Sequence, residues 1–113
     1  VPGVLCDEDL YRDQIPALSE HTDVSITMEQ VRHDTLPDIA RAILDAAPAR
    51  FALCGLSMGG IIAFEIMRQQ PARVSRLALL DTNARDIAAD ERKVREGRMR
   101  LVANGHVDVM VGL

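Results

Sequence analysis

With 113 residues, 48% of them hydrophobic and 27% charged, the chain has the composition of a globular domain. Its net charge of −4 comes from bases interspersed with acids, which leaves no basic face for nucleic acid, and Tyr11, Phe51 and Phe64 are too few to stack bases. No apolar run reaches the ~18 residues of a membrane span, and Cys6 and Cys54 lack a C-x-x-C spacing, so no membrane insertion and a reducing, cytoplasmic setting are expected.

In chain order, Val1 reads as the end of a strand and Pro2 to Asp7 as a loop. Asp7 to Leu18 carries apolar residues at Leu10, Ile15 and Leu18 and predicts a short helix, interrupted near Pro16. Asp23 to Met28 alternates Val24, Ile26 and Met28 with polar neighbours, the pattern of a strand toward a sheet edge. Thr35 is a helix cap, Pro37 suits the first turn and Asp38 suits the dipole. Leu36, Ile39, Ala40, Ile43, Leu44 and Ala47 then make the cleanest amphipathic stripe in the sequence, which Pro48 ends.

Phe51-Ala52-Leu53-Cys54 reads as a buried strand, and Met58 to Gln70 as a largely apolar helix stopped by Pro71. A second apolar strand is expected at Leu77 to Leu80. From about residue 85 the composition turns charged and alanine-rich, with Glu91/Arg95 and Glu96/Arg100 as favourable i, i+4 pairs on a solvated helix. This shift divides the chain into residues 1–85 and 86–113. The order of elements is that of an α/β fold, a mostly parallel sheet with flanking helices.

Between the buried strand and its helix stands Gly55-Leu56-Ser57-Met58-Gly59, a G-x-S-x-G pentapeptide. A serine hydroxyl is a poor nucleophile unless it is held clear of the sheet, next to a base and to donors for the oxyanion it creates. A sharp strand-to-helix turn supplies the exposure, and it aims the first free helix amides, Met58 foremost, at the reacting carbonyl. Side chains at Gly55 or Gly59 are expected to collide with the packed strand and helix. Ser57 is therefore the candidate nucleophile, although the same residues also suit a tight turn in which Ser57 merely caps the helix.

These residues resemble the α/β-hydrolase superfamily, in particular its small esterase-like members. Val1-Pro2-Gly3-Val4-Leu5-Cys6-Asp7 is similar to the family's oxyanion loop, Leu10-Tyr11-Arg12-Asp13-Gln14 to its first helix, and Pro71 through Asp81 to the strand after the nucleophile helix. The resemblance implies a partial α/β-hydrolase fold, an oxyanion hole from the backbone N–H groups of Val4 and Met58, and a helical lid beginning in residues 86–113. It also implies an ester or thioester of a small molecule as substrate, with no metal and no organic cofactor; oligomeric state stays open. Within the same scaffold a cofactor-independent haloperoxidase-like or carbon–carbon bond hydrolase is the alternative, and a non-catalytic ligand-binding member is the alternative outside catalysis.

The family order is serine, then acid, then histidine. His21 and His33 precede Ser57, His106 falls in the lid segment, and none has the spacing of a metal ligand set. The acid and histidine are thus expected outside this chain, which then reads as an internal piece of a longer enzyme and as inactive by itself. Asp81 is a secondary candidate for the acid; its alternative role is to cap the turn into the lid.

Overall fold

Six residues of one strand and seven of another make the sheet, and the computed structural model describes residues 1–110 of the chain around them. β1 (Phe51–Leu56) and β2 (Val74–Leu80) run parallel, Leu53 opposite Leu77 and Leu56 opposite Leu80, with a register irregularity between Phe51 and Ala52. On the other edge of β1, the Val1 nitrogen donates to the Cys54 carbonyl at 2.7 Å and the Val1 carbonyl accepts from Leu56 N–H at 3.1 Å. That slanted pair is the bonding pattern of a parallel neighbour, so β1 lies between Val1 and β2.

The helices are α1 (Ile15–Ser19), α2 (Leu36–Ala46), α3 (Met58–Gln69) and α4 (Ala89–Ala103). The Thr35 hydroxyl accepts from Asp38 N–H at 3.3 Å and donates to the Asp38 carboxylate at 2.6 Å, so an orphan amide of α2 is satisfied at its start. Its other end is held from a distance. The Arg73 guanidinium donates to the carbonyls of Leu44, Ala47, Pro48 and Ala49 at 2.8, 2.8, 2.7 and 3.2 Å, and lies 5.7 Å above the Phe51 ring.

α2 and α3 pack together on one face of the sheet. Ile39, Ala40, Ile43 and Leu44 of α2 meet Ile62, Ala63 and Ile66 of α3 over Leu53 of β1, and these eight residues are the core. Each large aliphatic side chain there contributes about 1.5–3 kcal/mol of burial. At the rim of this layer Gln69 bridges the two helices, donating to the Pro37 carbonyl at 3.0 Å and to Glu65 at 2.9 Å.

Several sequence expectations change. Asp23–Met28 is not a strand; it is irregular chain leading into a 3-10 turn at Glu29–Val31. A strand needs a ladder partner about 4.8 Å away, and an open trough of 1090 Å³, lined by Val24, Ile26 and Met28 on one side and Ala52 and Cys54 on the other, lies between this segment and β1. The helix expected over Asp7–Leu18 is split into a 3-10 turn at Glu8–Tyr11 and α1, because Pro16, in the first turn of α1, lacks the N–H that a continuous helix would use.

Cys54, read as buried, is exposed. Along β1 only Leu53 and Gly55 are buried, while Ala52 and Cys54 face the trough. In α3, Ile61 remains 38% exposed while Ile62 and Ile66 are fully buried. α4 buries none of its residues. Its Glu91–Arg95 pair forms at 4.0 Å, whereas Arg100 bonds the Glu96 backbone carbonyl rather than its carboxylate. The final residues of the segment read as a lid, 111–113, lie outside the described residues.

Candidate functional site

Ser57 stands between the end of β1 and the start of α3 with φ 51° and ψ −112°. For a residue with a side chain this backbone is strained by about 1–3 kcal/mol and persists only if its surroundings hold it. The hold is visible on both sides of the residue. Ser57 N–H donates to the Leu80 carbonyl at 2.8 Å, and the Ser57 carbonyl accepts from Gly60 N–H at 2.9 Å and from the Thr82 hydroxyl at 2.8 Å.

The neighbouring glycines permit close approach. A Cβ on Gly55 would strike the Gly59 carbonyl, and one on Gly59 would strike the Val1 carbonyl and come within 2.8 Å of the Pro2 carbonyl oxygen. The obstacle at Gly59 is thus the incoming Val1–Pro2 backbone on the outer side of β1. With a Cβ at either position the turn would have to open.

Although Ser57 is the cap residue of α3 by position, its side chain makes no capping hydrogen bond. The hydroxyl is half-buried and unengaged among the described residues, which removes the capping role as the reason for a serine here. The opening loop lies against it: a Cβ on Gly3 would be 3.4 Å from the Ser57 Cβ. Val4, the next residue, is 50% exposed. Neither the Val4 nor the Met58 amide donates to a protein acceptor among the described residues.

Tyr11 pins the base of this loop, its hydroxyl donating to the Val1 carbonyl at 3.0 Å. Burial pushes the Tyr11 phenol above its ordinary pKa, with the nearby Cys54 and Cys6 adding in the same direction. The bond is therefore made by a neutral phenol at physiological pH.

Among the described residues, three with side chains have positive φ, Leu5 at 57°, Ser57 at 51° and Asp81 at 45°. They follow Val1, β1 and β2 respectively, so all three turns lie at the carboxyl ends of adjacent parallel segments, where open α/β sheets bind ligands. Asp81 itself is exposed, and its carboxylate accepts no hydrogen bond among the described residues. The turn after β2 is instead organised by Thr82 and by Asn83, whose Oδ1 accepts from Arg85 N–H at 3.2 Å.

Thr82 is the site residue that sequence reading missed. Its signal was faint: a hydroxyl two residues beyond a strand that runs beside the serine turn.

None of the described histidines is bonded to Ser57. His33 pairs with Glu29 at 3.3 Å. The trough belongs to the uncovered sheet face and does not include Ser57. Among the described residues no three His, Cys, Asp or Glu side chains converge on a common point, and no helix is long and apolar enough to cross a membrane.

A parallel pair of strands with helices packed on one face is an arrangement compatible with a partial α/β fold. No protein-family model matches the chain. Two curated proteins are similar to it over part of its length, and both carry the same name. A pimeloyl-[acyl-carrier protein] methyl ester esterase of Nitrosomonas europaea is 38% identical over 47 residues, 42% of this chain and 19% of the relative. The esterase of that name from Aromatoleum aromaticum is 33% identical over 72 residues, 64% of this chain and 27% of the relative. The chain therefore spans between a fifth and about a quarter of the length of these relatives, and its relationship to ester hydrolases is one of low identity.

Proposed function

We propose that this chain carries the nucleophile of a serine hydrolase that cleaves carboxylic esters or thioesters through an acyl-enzyme on Ser57. The observation that carries the reading is the free Ser57 hydroxyl on a strained, doubly tethered turn between β1 and α3. The two esterases of low identity support the same reaction class.

In this reading the Ser57 Oγ attacks the acyl carbon, and the carbonyl π electrons move onto oxygen, which the Met58 and Val4 amides receive. Collapse of that adduct breaks the bond to the leaving alkoxide or thiolate, which takes up the proton that the serine gave to its base. Water then releases the acid by the same steps. The resemblance puts that base, a histidine, in sequence beyond this chain. Each oxyanion donor is worth about 3 kcal/mol in such sites. The chemistry calls for no metal or organic cofactor, and α4 is then the start of a cap over the substrate. A methyl ester of a carrier-bound acyl chain, the substrate in the relatives' name, is the first substrate to assay.

The test is covalent labelling of the full-length protein with a fluorophosphonate, read by intact mass and peptide mapping. One adduct on Ser57 is expected, with labelling and hydrolysis of short p-nitrophenyl esters both lost in Ser57→Ala. Activity that survives Ser57→Ala overturns the assignment.

A further inference from the structure

Thr82 lies outside the G-x-S-x-G motif, yet two separate contacts tie it to the turn between β1 and α3. Its hydroxyl donates to the Ser57 carbonyl at 2.8 Å. Its side chain also fills the space over Gly60, where a Cβ would come within 2.5 Å of the Thr82 Cγ2. The Ser57–Met58 peptide is planar and trans, so its carbonyl and its N–H point in opposite directions. Whatever holds the oxygen also sets the direction of the Met58 N–H, which is itself without an acceptor among the described residues.

The other donors to this oxygen are Gly60 N–H at 2.9 Å and Ile61 N–H at 3.4 Å, both from the first turn of α3. They tie the peptide to α3, which packs on β1, and make no direct bond to the β2 side. Thr82 comes from the chain just past β2, so its bond references the peptide to the strand pair. Ser57 at φ 51° and ψ −112° occupies no relaxed backbone well, and such a peptide needs an external tether to keep one orientation.

We infer that Thr82 is a positioning residue of this site: its hydroxyl fixes the Ser57–Met58 peptide so that the Met58 N–H is held toward the oxyanion. The inference rests on the acyl-enzyme reading above. A tether of this kind acts on the transition state, where the oxyanion exists, and leaves ground-state binding of the ester nearly untouched.

The test uses the full-length protein with Thr82→Val, which keeps the shape and removes the donor, and Thr82→Ser, which keeps the donor and removes the methyl. Steady-state hydrolysis of p-nitrophenyl butyrate and inhibition by an aryl trifluoromethyl ketone are measured for each, with Ser57→Ala alongside. Thr82→Val is expected to lower kcat about 10-fold, less than loss of an oxyanion donor itself, with KM within about twofold and with weaker ketone inhibition in proportion. Thr82→Ser should recover most of that loss. Equal kcat in Thr82→Val and wild type, or equal losses in Thr82→Val and Thr82→Ser, overturns the inference. Should Thr82→Val fail to fold, Thr82→Ala against Thr82→Ser gives the same contrast of hydroxyl alone. Loss of activity in Ser57→Ala with an unaffected Thr82→Val rejects only the role of Thr82, whereas an active Ser57→Ala rejects both readings.

Discussion

The two faces of β1 are made from similar small and apolar residues and have opposite fates. Leu53 and Gly55 point into a layer of two helices and are buried, whereas Ala52 and Cys54, one residue along in each case, look into an open trough. The covered face is also the one that builds the site, because α3 can turn sharply out of β1 only if it packs closely against the strand. Close packing on that side demands Gly55 under the helix and holds Ser57 in its strained conformation. Among the described residues, none lining the open face has a positive φ.

The most severe challenge to this contrast is a side chain where the helix crosses the strand. Gly59→Val should cost at least about 4 kcal/mol, since the obstacles are backbone carbonyls of Val1 and Pro2 that cannot rotate away. Denaturant unfolding of the full-length variant measures it, and a midpoint equal to wild type would mean that the turn is looser than described.

A matched pair of truncations then compares the faces directly. Ile62→Ala, in the fully buried centre of α3, is expected to cost about 3 kcal/mol, and Leu80→Ala, at a β2 position 43% exposed on the same sheet face as Ala78 and Cys54, less than about 1 kcal/mol. Comparable losses from the two in the full-length protein would show that the trough face is covered there as well.

The smallest effect concerns the rim of the helical layer. Hydrogen bonds from Arg68 at 2.8 and 2.7 Å and from Gln69 hold the Glu65 carboxyl down to about 2. A carboxylate depressed on folding stabilises the protein fully above its unfolded pKa of about 4.3, and the contribution fades as pH falls from there toward 2. Glu65→Gln should therefore lower stability slightly at neutral pH, where solvent screening keeps the contribution small, and the gap to wild type should close between about pH 4.5 and 2, which flattens the acid limb of the stability–pH profile. An unchanged acid limb would show that the bonds to Glu65 do not persist in solution.

Much of the site's scaffold was legible in the chain because it is local. The stripe from Leu36 to Ala47, the Thr35 cap, the strand at 51, the stop at Pro71 and the glycines around Ser57 each depend on neighbours a few residues away, and on sterics that any tertiary setting must respect. The same locality explains how the pentapeptide could be singled out without showing whether its serine was a cap or a free hydroxyl. That distinction lies in a hydrogen bond the sequence does not contain.

Tertiary structure alone decided the remainder. Val24, Ile26 and Met28 alternate as a strand should, but alternation describes a half-buried surface and does not provide a ladder partner, so Asp23–Met28 stays irregular beside the trough. Cys54 lies in an apolar run that suits a strand covered on both faces, and its exposure depends on which elements pack against the sheet. Arg73 closing the end of α2 and Thr82 clamping the Ser57 carbonyl join residues about 25 positions apart, and only the parallel crossover from β1 through α3 to β2 brings them together. Short-range sterics could write the turn into the sequence, while contacts between distant segments became definite only when the sheet and its helices had assembled.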